Sequence, residues 1–444
     1  MSNEFEKRLL LAIVLLPALA IPFFNLQGIL VLMLVILYFW TILFFFHPLE
    51  GFFALFLLRP LMDTFTDQSI FEMGPISLNL SALLALLVIL HTSLLLLKNP
   101  DRIKNLPLKT PWLIFIGISA LSILISLDAV TSVTETIRLV SIFSLFLMGY
   151  ILISSKKKFF QFLSVIALSA LIPGIFAYWQ FFTGTGMTVP FEGVYNRIYG
   201  TLAHPSSLAF FLVIVISACI MLLFHTKNDE KNQSNRVLLF VAIVLYVSLL
   251  GLTYTRGAWL AFLLVISIIG ILQYRVLLYT LIFLLLFSYM TFDPIRVRVN
   301  DTLTLTPTGS IAWRISLWKE SVLFAAEKPI LGHGIGTASD VILAGRGKQF
   351  GSTEPHNDYL KLALETGALG LLSYLFLMFS NMRLLAKKYF HLPKESDEKF
   401  VSVTLLSIAV SLFVVSFADN ILRNMVLQWN YWALLGAYFG AYRK

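Results

Sequence analysis

The sequence predicts an all-α fold, a polytopic membrane helix bundle with about 12–14 transmembrane helices and one large outer loop containing short helices. Three observations carry this. The chain is 58% hydrophobic and 13% charged, where an ordinary soluble domain is about 25% charged. Apolar runs long enough to cross a hydrocarbon core of about 30 Å recur from end to end. Lys and Arg gather in alternate connections between those runs, as the positive-inside rule requires.

The apolar runs fall at residues 9–24, 26–46, 49–62, 77–97, 111–127, 135–154, 159–183, 205–225, 236–254, 256–273, 275–291, 357–385, 400–418 and 424–442. The first is interrupted by Pro17 and Pro22 and passes straight into more apolar sequence, so it reads as a span and not as a cleaved leader. The run 49–62 is short and fits a tilted or re-entrant piece. Basic clusters lie at Lys7–Arg8, at Lys98, Arg102, Lys104 and Lys109, at Lys156–Lys158, at Lys227, Lys231 and Arg236, at Lys387, Lys388, Lys394 and Lys399, and at Arg443–Lys444. One count puts all of them inside, with both termini cytoplasmic. The same count puts 62–76, 128–134, 184–204, the break at Thr253–Gly257 and the long segment 292–356 outside. The expected organisation is 1–291 as an N-terminal transmembrane bundle, 292–356 as the large outer (periplasmic) loop, and 357–444 as further helices of the same bundle.

The outer loop has room for a small subdomain. A helix is expected from Ser310, as N-cap, to Glu327, with Pro329 just past its end. Ile311, Ile315, Trp318, Val322 and Ala325 form an apolar stripe along it. Such a helix would rest on the bundle or the membrane surface. The glycines of Gly332-His333-Gly334-Ile335-Gly336 follow no strand, so they read as a turn and not as a nucleotide loop.

Composition narrows the function classes. Cys219 is the single cysteine, so no disulfide forms within the chain. The net charge of +9 sits mostly in short loops and is a topology signal, with no nucleic-acid partner implied. No Asp-x-Asp pair or His–Glu cluster with metal-ligand spacing stands in the outer segments, so no metal and no cofactor is expected.

Four residues stand out on the expected outer side. Arg256 opens a span where helix-start N–H groups and a guanidinium would make an anion site, although a lone arginine there also fits a residue snorkelling to the headgroups. Arg314 lies one turn before Trp318 at the edge of the apolar stripe, where an amphipathic-boundary charge is the plainer reading. Arg197, beside Tyr199, fits an interfacial anchor equally well. His356 follows Pro355 where the loop gives way to a helix; a helix start favours the neutral ring, whereas Glu354 and Asp358 favour the charged one. Together they form a pattern. Arginines suit a phosphate or diphosphate leaving group, and a neutral histidine suits activation of a hydroxyl.

Several pieces, in order along the chain, resemble the O-antigen ligase and polymerase superfamily. They are Arg59-Pro60-Leu61-Met62-Asp63, Arg197-Ile198-Tyr199-Gly200 with His204-Pro205-Ser206, Thr255-Arg256-Gly257-Ala258-Trp259, Trp313-Arg314-Ile315-Ser316-Leu317-Trp318, Lys328-Pro329-Ile330-Leu331-Gly332-His333-Gly334-Ile335-Gly336, and Pro355-His356-Asn357-Asp358-Tyr359-Leu360 through Glu365-Thr366-Gly367-Ala368-Leu369-Gly370. The resemblance implies a membrane glycosyltransferase of the bacterial inner membrane, working at its outer face. The donor would be an undecaprenyl-diphosphate-linked glycan and the acceptor lipid A-core or a growing glycan, with inverting, metal-independent transfer. By the same resemblance His356 is the general base and Arg256 and Arg314 clamp the diphosphate. Arg197, Tyr199, Trp318 and Asn357 are further candidate substrate contacts. His204, where relatives often carry Asn, and His333, where they carry an apolar residue, depart from the pattern.

An O-antigen ligase attaching O-antigen to lipid A-core is the foremost expectation. A Wzy-type polymerase or a protein O-oligosaccharyltransferase shares the donor chemistry. A transporter for a lipid-linked or anionic solute is the alternative from another class. It fits less well, because no repeat is evident and the charges cluster at one edge.

Overall fold

The computed structural model describes residues 26–65, 69–73, 76–188, 196–226, 233–303, 310–346 and 353–443. Its helices are α1 (Leu26–Phe46), α2 (Pro48–Met62), α3 (Leu80–Lys98), α4 (Lys109–Leu121), α5 (Ala129–Leu152), α6 (Lys156–Ser169), α7 (Leu171–Thr183), α8 (Pro205–His225), α9 (Gln233–Leu252), α10 (Arg256–Leu272), α11 (Arg275–Thr291), α12 (Asp293–Leu303), α13 (Ser310–Glu327), α14 (Ala338–Arg346), α15 (Asp358–His391), α16 (Asp397–Val415) and α17 (Met425–Ala441). Among the described residues the elements are helical except for one short antiparallel ribbon, β1 (Ser69–Met73) and β2 (Ile76–Asn79), an addition to the all-α expectation.

Among the described residues, seven helical stretches are long and apolar enough to cross a membrane: Leu80–Lys98, Ala129–Leu152, Lys156–Thr183, Pro205–His225, Gln233–Leu252, Asp358–His391 and Asp397–Val415. Four shorter apolar helices, Val31–Phe46, Lys109–Ile125, Arg256–Leu272 and Arg275–Thr291, match further expected spans. The expected first span, 9–24, lies outside the described residues. The expected span 49–62 is α2, only 15 residues long, with Pro60 inside it and Arg59 buried at 3% exposure. The α5 helix begins six residues before the expected 135, because Asp128 caps it. One carboxylate oxygen accepts from Val130 and Thr131 N–H and the other from the Thr131 hydroxyl. These bonds, the Thr131 hydroxyl foremost, hold the Asp128 carboxyl below its usual range.

The chain divides into two compact units. One comprises Met1–Leu106, Ser141–Thr255 and Met425–Lys444. Its core helices are α8 and α17, whose side chains are buried nearly all round. A helix apolar on every face must be enclosed by others. Small residues allow close approach: a Cβ on Gly436 would stand 2.0 Å from the Phe146 carbonyl oxygen, and one on Gly149 2.4 Å from that of Ala433. His204 caps α8, its Nδ1 accepting from Ser206 N–H at 3.1 Å. Asn is among the commonest N-cap residues, and the imidazole here makes the same kind of bond.

The other unit comprises Pro107–Val140 and Arg256–Asn424. Its longest element, α15, is broken at Gly367, where φ is +63°. Such a break frees backbone groups that need partners in an apolar setting. Segment 329–334 supplies them: Ala368 N–H donates to the Pro329 carbonyl at 2.8 Å, while His333 and Gly334 N–H donate to the Leu364 and Glu365 carbonyls at 3.0 and 2.8 Å. The glycine-rich turn expected after the loop helix is therefore buried. A Cβ on Gly334 would meet Ser126 and one on Gly332 the α15 backbone.

The α13 helix spans Ser310–Glu327 as expected, but its buried face differs from the expected stripe. Ile315 is 40% and Val322 52% exposed, whereas Leu317 and Ser321 are fully buried. Leu317 packs with Ala338, Val341, Ile342 and Leu364, and Phe324 and Ala325 lie against the same cluster. The i, i+4, i+7 face through Leu317, Ser321 and Phe324 is the inward one. The side chain of Ile311 lies outside the described residues.

Candidate functional site

The start of α15 gathers four of the residues singled out from sequence. Asn357 is its N-cap, with Oδ1 accepting from Tyr359 and Leu360 N–H at 3.0 and 3.1 Å. His356 sits just before it with φ +48°, a left-handed conformation uncommon outside glycine. Trp318 on α13 donates its Nε1–H to the Pro355 carbonyl at 2.6 Å, which ties α13 to the residue preceding His356. Arg314, one turn earlier on the same inward edge, donates from Nη1 to the Ala418 carbonyl at 2.6 Å. Both side chains thus point from α13 into this unit.

Ala418 belongs to the link between α16 and α17, and this link brings a residue that sequence reasoning missed. Asp419 places its Oδ1 3.8 Å from Nδ1 of His356. At this spacing the two groups face each other, slightly too far apart for a direct hydrogen bond. Burial pushes the Asp419 carboxyl up, but the His356 imidazole, the Arg314 guanidinium and the Asn420 N–H outweigh it and hold it below the ordinary carboxylate range. Asp419 is thus an anion facing one ring nitrogen of His356, and the imidazole is a third exposed. The sequence did hold a faint signal. Asp419, Asn420 and Arg423 are polar residues in a short break between two apolar runs, on the expected outer side.

A second polar group surrounds the pair. Glu354 accepts from Lys361 Nζ at 3.0 Å, the Ser339 hydroxyl at 2.8 Å and Asn420 Nδ2 at 3.3 Å, and it is ion-paired with Arg423. Burial raises its carboxyl, and Lys361 and Arg423 more than reverse this, bringing it down to about 2. Arg423 also lies 3.6 Å from Glu135, itself paired with Arg138. Glu354 is engaged by cations, and Asp358 accepts from the Ser416 hydroxyl and Leu422 N–H at 3.0 and 3.1 Å.

The remaining sequence-singled residues lie elsewhere. Arg256 is the first residue of α10, half-buried, in the same unit as His356 and Arg314 but outside the contacts just described. Arg197 and Tyr199 belong to the other unit. Arg197 donates from Nε to the Thr253 carbonyl and from Nη2 to the Thr255 hydroxyl, both at 3.0 Å. Tyr199 N–H donates to Gln180 Oε1 at 3.0 Å, and Gln180 also binds Gly200 through N–H and carbonyl. In this arrangement Arg197 braces a turn.

Chemically, the site offers an imidazole with a carboxylate on its Nδ1 side. Beside it stands a guanidinium whose single hydrogen bond among the described residues goes to a neutral carbonyl. A carboxylate facing one imidazole nitrogen favours the proton on that nitrogen, and a guanidinium offers charged donors to an anion. No curated protein matches the chain. Residues 241–375, a stretch that includes Arg256, Arg314, Trp318, His356 and the break at Gly367, match the model of a family described as O-Antigen ligase.

Proposed function

We propose that the protein transfers a glycan from a polyprenyl-diphosphate-linked donor, undecaprenyl diphosphate in bacteria, to an acceptor hydroxyl. The reaction would take place at the outer face of the inner membrane, with O-antigen ligation onto lipid A-core as the foremost case. Polymerisation of a glycan and protein O-glycosylation are the alternatives within the same chemistry. The pairing of His356 with Asp419 beside Arg314 is the observation that carries this reading.

In this reading Asp419 holds the Nδ1–H tautomer of His356, leaving Nε2 to take the proton of the acceptor hydroxyl as its oxygen attacks the anomeric carbon. The bond from that carbon to the diphosphate oxygen breaks on the opposite face, which inverts the centre. Charge then grows on the departing diphosphate, where Arg314 and Arg256 stabilise it. Trp318 and Asn357 support His356 from the protein side, Trp318 through Pro355 and Asn357 as the cap.

The break in α15 and the buried Lys361 and Glu365 are features that transport proteins also use. Here the backbone groups around the break bond to segment 329–334, which favours a structural role for the break.

The test is reconstitution of the purified protein with a polyprenyl-diphosphate glycan and candidate acceptors. Product is expected with the wild type, and His356→Ala should abolish it in a protein that still elutes as a folded species. Full turnover by His356→Ala would remove the base assignment. Lipid-linked donor moving across proteoliposomes without glycan transfer would favour the transporter.

A further inference from the structure

His356 holds a strained backbone conformation, and such residues persist only where their surroundings over-determine them. The flanking residues supply that restraint. Glu354, two positions before, receives Asn420 and Arg423, which follow Asp419 in the α16–α17 link. Asp358, two positions after, receives the Ser416 hydroxyl and Leu422 N–H, one on each side of Asp419, and its own N–H donates to the Ser416 carbonyl at 2.8 Å. Asp358 is 1% exposed, so water does not compete for its bonds, and Lys361, which also grips Glu354, is 5% exposed, whereas the Glu354 and Arg423 side chains are 23% and 32% exposed at the outer edge of the bracket.

We propose that Glu354 and Asp358 are positioning residues for the His356–Asp419 pair, two acidic side chains that bracket the histidine and fasten the link carrying its aspartate. Their pattern is specific to that task. Both anchors stand the same distance from His356, and every link residue they hold lies within four positions of Asp419. The network also reaches Ser339, Lys361 and Glu135, but its bonds between the two short segments all flank the His356–Asp419 pair. The kinetic meaning of the bracket rests on the transfer reading above; its geometric meaning does not.

Two measurements on the full-length protein test it. In the transfer assay, Glu354→Gln and Asp358→Asn should each lower kcat about tenfold to a hundredfold, the cost of a slightly misplaced catalytic group. The donor KM should stay within about twofold, because binding is untouched. In an Asp419→Asn background each should cost less than about threefold, since the pair they position is already lost. Full additivity would overturn the proposal. In the second measurement, a Cys219→Ser protein carrying His356→Cys and Asp419→Cys is treated with a short bis-methanethiosulfonate. Cross-linking should be efficient, and should fall at least about fivefold when Glu354→Gln is added, as expected for directly coupled sites. An unchanged yield would overturn the bracket whether or not transfer is detected. A fall in yield with no transfer by the wild type would support the bracket and reject the transfer reading. Glu354→Gln, which keeps the shape and the acceptor oxygen, carries both measurements if Asp358→Asn does not fold.

Discussion

The indole of Trp318 donates to the carbonyl of Pro355, so the helix of the 292–356 segment is fastened to the residue just before His356. The bond joins two positions that the sequence separates by a long polar stretch. It converts the amphipathic helix from a surface element into a support for the candidate base.

Trp318→Phe keeps the ring and removes the donor. A neutral hydrogen bond contributes about 1 kcal/mol, so folding should survive with a small drop in Tm. Turnover should fall several-fold more than donor binding. Equal kcat in Trp318→Phe and wild type would show that Pro355 needs no such tether.

Arg314→Lys and Arg256→Lys should each cost well over tenfold in kcat/KM, because a point charge does not reproduce a guanidinium fork on a diphosphate. Raised ionic strength should not restore either variant. Steady-state kinetics with a polyprenyl-diphosphate glycan gives the answer, and a lysine variant at wild-type rate would remove that arginine from the clamp.

Stability should depend on pH through Glu354. Its carboxyl titrates at about 2 in the folded protein, below the usual 4.5. A depressed folded value means a stabilising contribution that is complete above the unfolded value and fades as pH falls toward the folded one. Tm should therefore decline below pH 4.5 and continue downward to about 2. Glu354→Gln should have a lower Tm at neutral pH and a shallower decline on acidification. Thermal unfolding in detergent across that range checks both.

Gly367→Ala should be severely destabilising. The position needs a positive φ, and a Cβ there would stand 2.3 Å from the Ile330 backbone. Strain of about 1–2 kcal/mol from the left-handed conformation adds to a clash with backbone that cannot rotate away. Loss of folded protein on size-exclusion chromatography is expected.

His204→Asn should be nearly neutral and His204→Ala should cost about 1 kcal/mol, read as Tm, if the imidazole acts as a helix cap. Equal Tm for the two would assign the capping bond no weight.

Much of the fold was legible because spans are set by apolar length, a local property. The bounds of α13 followed from Ser310 and Pro329 in the same way. Its inward face was not legible, since Ile315 and Val322 are exposed while Ser321 is buried. Apolar side chains near a bilayer need not face protein, and small polar ones pack well between helices. His356, Trp318 and Asn357 meet at the start of α15, and Arg314 reaches the α16–α17 link beside them, whereas Arg256, Arg197 and Tyr199 are not part of these contacts. Asp419 escaped because its contact with His356 spans a long stretch of chain and depends on how the α16–α17 link folds back. Glu354 was visible, but its partners Lys361, Asn420 and Arg423 were not, because two of them come from the α16–α17 link.

The splice between segment 329–334 and the break in α15 bears on how this protein can be re-engineered. A chimera that exchanged the 292–356 segment for that of a relative would leave the Leu364 and Glu365 carbonyls and the Ala368 N–H facing a foreign backbone inside an apolar helix. Such grafts should succeed only when both sides of the splice, 329–336 and 358–370, travel together. The two stretches would then be exchanged as one block and not loop by loop.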